Sequence, residues 1–121
     1  MILVDTSVWI DHFRRTELEL VARLTASEVL IHPMVIGELA VGNLANRANV
    51  LADLQSLPFA VAARPEEVLT FIDRNKLAGM GLAYVDVCLL ASVKLTPDTS
   101  LWTRDRRLEA AAKQVELSVK A

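Results

Sequence analysis

The chain opens with a short stretch in which every residue is apolar, Ile2-Leu3-Val4, and which stops abruptly at Asp5-Thr6-Ser7. A strand with one face in water alternates apolar and polar residues, so an unbroken apolar run marks a strand covered on both faces. Asp, Thr and Ser are good helix caps, and the strand is therefore expected to feed a helix from about Ser7 to Phe13. The same unit recurs twice. Val29-Leu30-Ile31 precedes Pro33, whose missing N–H is not needed in a first helical turn, and a helix should run from there to about Leu44. Leu101-Trp102-Thr103 precedes a helix over Arg106 to Lys113. Further helices are expected at Glu17–Leu24, Ala48–Leu57, Glu66–Leu77 and Asp86–Lys94, a loop at Ala78-Gly79-Met80-Gly81, a weaker strand at Phe59–Ala62 and a last strand at Val115–Val119. Strands alternating with helices predict an α/β fold: a central parallel sheet of about five strands with helices on both faces, its function gathered at the carboxyl ends of the strands.

With 121 residues and no repeat or linker, the sequence predicts one domain, 1–121. Hydrophobic residues make up 53%, more than so small a domain can hide, which favours an oligomer or an obligate partner. The lone cysteine, Cys88, cannot pair within the chain and sits in an apolar run, so it reads as structural and the compartment as reducing. No stretch approaches the ~18 apolar residues of a membrane span, and a cytoplasmic location is expected. The net charge of −2 rules out whole-molecule attraction to nucleic acid, so any such site must be a local basic patch.

Four acids stand out by position: Asp5 ends the first strand, Glu38 lies within the helix after the second, Asp86 opens a helix, and Asp105 follows the third strand. If those strand ends share one edge of the sheet, the carboxylates meet in one cleft and make an all-oxygen site for a hard cation. A plainer reading stands beside each. Asp5, Asp86 and Asp105 suit helix capping, and Glu38 suits a water-facing helix surface, although its neighbours Val35-Ile36-Gly37 and Leu39 are apolar or small. Trp9 and Phe13, one turn apart, read as core or oligomer contact rather than base-stacking residues. His12 and His32 have no zinc-ligand spacing.

Met1-Ile2-Leu3-Val4-Asp5-Thr6-Ser7-Val8-Trp9-Ile10-Asp11 resembles the opening of VapC-type PIN domains, a family of toxin ribonucleases. Pro33-Met34-Val35-Ile36-Gly37-Glu38-Leu39, Tyr84-Val85-Asp86 and Leu101-Trp102-Thr103-Arg104-Asp105 resemble the second, third and fourth acidic motifs of that family, in order and at suitable separations. One departure is Val87-Cys88-Leu89-Leu90, bulkier than the small residues relatives often carry there. The fourth acid is the family's most variable.

The resemblance implies a three-layer PIN-like fold and an endoribonuclease that uses Mg2+, with Mn2+ as a substitute, to activate water against the RNA phosphodiester. It implies Asp5, Glu38, Asp86 and Asp105 as catalytic, metal-binding carboxylates. Thr6 and Thr103 are candidates to orient them, with helix capping or strand propensity as the alternative. Arg104, Arg106 and Arg107 are candidates to meet RNA phosphates, with a solvated helix start as the alternative; Arg14 and Arg15 are read the same way, against a role at the dipole of the first helix. A homodimer and a cognate VapB antitoxin, its C-terminal segment near the cleft, are further implications. Two other functions compete. An aspartyl-phosphate phosphatase or phosphotransferase would use Asp5 as nucleophile, but haloacid-dehalogenase-like enzymes carry a second aspartate where Ser7 stands. An inactive PIN-like interaction module would not need four acids.

Overall fold

The computed structural model describes residues 1–119. Along the chain run β1 (Ile2–Val4), α1 (Thr6–Arg14), α2 (Leu18–Thr25), β2 (Val29–Leu30), α3 (Pro33–Val41), α4 (Arg47–Gln55), α5 (Pro65–Arg74), α6 (Tyr84–Leu95), β3 (Ser100–Trp102) and α7 (Arg106–Gln114). The strands form a parallel sheet in the order β2-β1-β3. Ile2 lies opposite Val29 and Ser100, and Leu3 opposite Leu30 and Leu101. Ile2, Leu3 and Val4 are all buried, so successive residues of β1 find apolar cover on either side, as the unbroken run demands.

Among the described residues the sheet has three strands, not about five. Phe59–Ala62 and Val115–Val119 do reach its two edges, but each makes only one bridge, Phe59 to Ile31 and Ser118 to Leu101. On the first edge, His32 and Pro33 turn the chain into α3 directly after Ile31, leaving a neighbour one residue to pair with; Ile31 gives its N–H to the Pro58 carbonyl at 2.9 Å and accepts from Ala60 N at 3.0 Å. On the second, the chain leaves α7 through Glu116 in the left-handed region (φ 61°) and comes alongside Leu101 only between Leu117 and Val119.

Helix ends differ from the periodic reading for local reasons. α3 stops at Val41 because Gly42 adopts an extended conformation, and α5 stops short of Leu77, with Lys76 beyond it at φ 54°. α6 begins two residues before Asp86, which lies inside the first turn and accepts the Ala83 N–H at 3.0 Å. Seven consecutive residues of α6, Val87 to Val93, are buried. The bulk of Val87-Cys88-Leu89-Leu90 is thus the filling of an enclosed helix, and Cys88 is a buried free thiol. Trp9 is buried, whereas its stacking neighbour Phe13 stays partly exposed. Among the described residues no helix is long and apolar enough to cross a membrane.

Candidate active site

β1 and β3 end side by side, and their ends build half of the site. Asp5, the residue after β1, is the N-cap of α1. Its Oδ2 accepts from the Ser7 N–H at 3.4 Å, the Ser7 hydroxyl at 2.7 Å and the Thr103 hydroxyl at 2.8 Å. Thr103 Oγ1 also accepts the Asp105 N–H at 3.0 Å. Asp105 is the N-cap of α7, its Oδ1 taking the N–H groups of Arg107 at 2.9 Å and Leu108 at 3.0 Å. One threonine therefore ties two of the expected acids together.

The other half comes from α3 and α6. Thr6 gives its hydroxyl to Glu38 Oε1 at 2.7 Å, which links the first turn of α1 to the exposed face of α3. Asp86 is partly buried. Burial raises its carboxyl above the usual aspartate value, the Ala83 hydrogen bond opposes this, and the negative charges of Asp5, Asp105 and Glu38 raise it further. Asp86 therefore feels all three of the other acids.

Each of the four carboxylates spends one oxygen on the protein. Asp5 Oδ1, Glu38 Oε2, Asp86 Oδ1 and Asp105 Oδ2 have no hydrogen-bond partner among the described residues. Capping and ligand presentation, alternatives in the sequence, are here compatible uses of one side chain. The donor chemistry, four oxygens of like charge, suits a hard divalent cation. The described acids do not close further: no three His, Cys, Asp or Glu side chains stand close enough together to clasp one ion by themselves. Like charges resist that approach.

The comparisons with known proteins bear on this site. The PIN domain family model matches residues 2–114. Proteins named Ribonuclease VapC32 from two strains of Mycobacterium tuberculosis are each 48% identical over 111 residues, covering 92% of this chain and 90% of the relative. This chain is a VapC-type PIN domain. Nucleases of that family generally work with divalent metal ions.

Within this PIN domain, Thr6 and Thr103 hold the acids that flank them in space: Thr6 holds Glu38, and Thr103 holds Asp5 and Asp105. The basic residues divide. Arg106 is exposed and, with Thr103, Arg104, Glu109, Ala110 and Lys113, lines a cleft of about 290 Å³ next to Asp105. Arg107 lies across Gly81, donating weakly to its carbonyl at 3.5 Å; Gly81 has φ +75°, and a Cβ there would stand 2.9 Å from the guanidinium. Arg104, although it lines that cleft, pairs with Asp11 at 2.7 Å and with Glu17. Sequence reasoning overlooked Ser7, whose hydroxyl joins Asp5 to the Arg104 N–H at 3.0 Å and stands 3.3 Å from Thr103 Oγ1. The available signal was its position two residues after an N-cap aspartate, where a side chain can fold back on the cap.

Proposed function

We propose that residues 1–121 form one PIN domain acting as the toxin of a VapBC pair, a Mg2+-dependent endoribonuclease with Asp5, Glu38, Asp86 and Asp105 as its catalytic carboxylates. The observation that carries this reading is the pairing of one committed with one free oxygen on each of four acids at a single sheet edge. Magnesium keeps several waters and takes only one or two carboxylates directly, which fits four acids of which, among the described residues, no three stand close enough to clasp one ion. The bound ion would supply charge neutralisation and a water nucleophile usable at neutral pH.

The remaining work falls to the chain. Ser7 and Thr103 orient Asp5, Thr6 orients Glu38, and the α6 turn fixes Asp86. Arg106 and Lys113, which line one cleft, and the exposed Arg107 supply positive charge for RNA phosphates near Asp105. An aspartyl-phosphate mechanism has less support, since Ser7 stands where a second aspartate is needed and binds the would-be nucleophile.

For partners, the reading supplies RNA as substrate and a VapB antitoxin as inhibitor, in the cytoplasm. A cleft of about 570 Å³ between α1, α3 and α4 opens beside Glu38, with Ile10, Phe13, Leu39, Leu44 and Val50 on its walls and Arg14 at its edge. That cleft supports the docking of an antitoxin segment, and the homodimer rests on the exposed apolar side chains of Val21, Val41 and Leu69.

The test compares the purified chain with Asp5→Asn on a mixed RNA pool, with magnesium and with EDTA. Cleavage should fall by about 10³-fold in the variant, some 4 kcal/mol of barrier, and stop with EDTA. Cleavage indifferent to both would refute the reading.

A further inference from the structure

Arg104 lies between two site residues, Thr103 and Asp105, yet its guanidinium pairs with acids outside the set of four. Nη1 pairs with Asp11 Oδ2 near the end of α1 at 2.7 Å, and Nη2 pairs with Glu17, the N-cap of α2. The guanidinium carbon stands 5.9 Å from the centre of the Trp102 ring, at the end of β3. Glu17 is itself fixed, because its N–H is donated to His12 Nδ1 at 3.1 Å. Arg104 also holds the Glu17 carboxyl below its usual value, as a close cation does. At the backbone, the Arg104 N–H reaches Ser7 Oγ in the first turn of α1 at 3.0 Å.

The loop between β3 and α7 is thus fastened to α1 at both ends: through Ser7 near the start, and through Asp11 and the α1–α2 joint near the finish. We infer that Arg104 is a positioning residue for the carboxylate site, holding the Thr103–Asp105 loop in register with Asp5, and is not one of the RNA contacts. The inference rests on the ribonuclease reading above and deepens it. Asp11 and Glu17 already take one contact from each terminal nitrogen of the planar fork of Arg104, so a phosphate meeting it would have to share the guanidinium with them.

Positioning and RNA contact predict opposite signs for the acidic partners. If Arg104 serves RNA, removing Asp11 and Glu17 frees it and tightens binding. If Arg104 serves the loop, removing them loosens the site as removal of Arg104 does. The variants are Arg104→Ala, Arg104→Lys, the pair Asp11→Asn with Glu17→Gln, and the combination of that pair with Arg104→Ala. The readouts are kcat and KM on RNA, the salt dependence of RNA binding, and the Thr103 methyl resonance in the RNA-free protein.

Arg104→Ala and the acid pair should each lower kcat on the order of 10- to 100-fold, as loss of an orienting partner does. The combination should lose no more than either, KM should change little, and Arg104→Lys, which keeps the charge but can hold only part of the fork, should fall between. The salt slope should stay at the wild-type value. The inference is overturned if the acid pair binds or cuts RNA better than wild type, or if Arg104→Ala raises KM and lowers the salt slope by about 0.7, the value of one phosphate contact on a single strand. The Thr103 methyl signal should shift in both Arg104→Ala and the acid pair; if it stays in place the inference fails, whether or not the chain cuts RNA. A folded wild-type protein that cuts no RNA with magnesium would count against the ribonuclease reading alone.

Discussion

Asp5 and Glu38 are held in unlike ways, although both belong to the same set of carboxylates. Asp5 is 5% exposed, and one of its oxygens takes three hydrogen bonds from two residues. Glu38 is exposed, is held by Thr6 alone, and borders an open cleft. A charged group buried with several donors is fixed in place, since leaving those partners unmatched costs the full desolvation penalty. An exposed carboxylate loses little when a contact breaks, because water replaces it. The domain therefore combines a rigid half on β1 and β3 with an adaptable half on α3, and the adaptable half adjoins the apolar cleft.

The largest expected effect separates the two threonines. Thr103→Val removes a buried hydroxyl that serves both Asp5 and the Asp105 N–H, and should lower stability by about 1–3 kcal/mol. Thr6→Val should lower RNA cleavage but leave stability within about 0.5 kcal/mol, because Glu38 can turn to water. Urea denaturation of both variants checks this. Equal destabilisation would erase the distinction between the halves.

Asp86 sharpens the comparison from the middle of the site. Its carboxyl is raised by burial first and by the three other acids after the opposing Ala83 bond. A raised acid contributes its full stability below the ordinary aspartate value and loses it as pH climbs through the folded value, so at neutral pH the ionised side chain is a cost. Asp86→Asn keeps an acceptor for the Ala83 N–H and removes that cost. In EDTA the variant should melt at a higher temperature than wild type, while losing RNA cleavage. A lower melting temperature would show that the four charges do not strain the metal-free site.

The smallest effect concerns the foundation of the adaptable half. His32 caps α3 by accepting the Met34 N–H on Nδ1 at 3.1 Å, and its Nε2 meets Ser92 Oγ at 3.0 Å. Nδ1 as acceptor requires the neutral ring, with Nε2 donating. Burial lowers its titration below the usual histidine value. A lowered histidine gives full stability above its ordinary value and loses it as pH falls through the folded one. Melting temperature should therefore drop as pH falls below the ordinary histidine value, and His32→Asn, which keeps a capping acceptor, should flatten that drop. An unchanged slope in the variant would assign the acid sensitivity elsewhere.

Much of the fold could be read residue by residue. The apolar run of β1, the Pro33 start of α3 and the Asp105 start of α7 are local signals, and all three hold. The number of strands was less legible, because a residue fit for a strand still needs a neighbour in register, and Phe59 and Ser118 find one for a single bridge only. The same divide runs through the site. Position marked Asp5, Asp86 and Asp105, but it offered capping and ligation as rivals, where the structure commits one oxygen of each to the fold and leaves the other without a partner among the described residues. Its place beside Asp105 made Arg104 a candidate for RNA phosphates, with a solvated helix start as the alternative, and neither reading named Asp11 and Glu17, with which its side chain pairs.

The sequence alone determined the alternation of buried strands and helices, the starts of α3 and α7, and a set of acids at strand exits. Those features depend on periodicity and capping, which act over a few neighbouring residues. Only the tertiary structure decided which hydroxyl serves which carboxylate and where the arginines point. The Thr103–Asp5 bond joins residues 98 positions apart, and a hydrogen bond depends on distances of a few tenths of an ångström in space, which no spacing along the chain encodes.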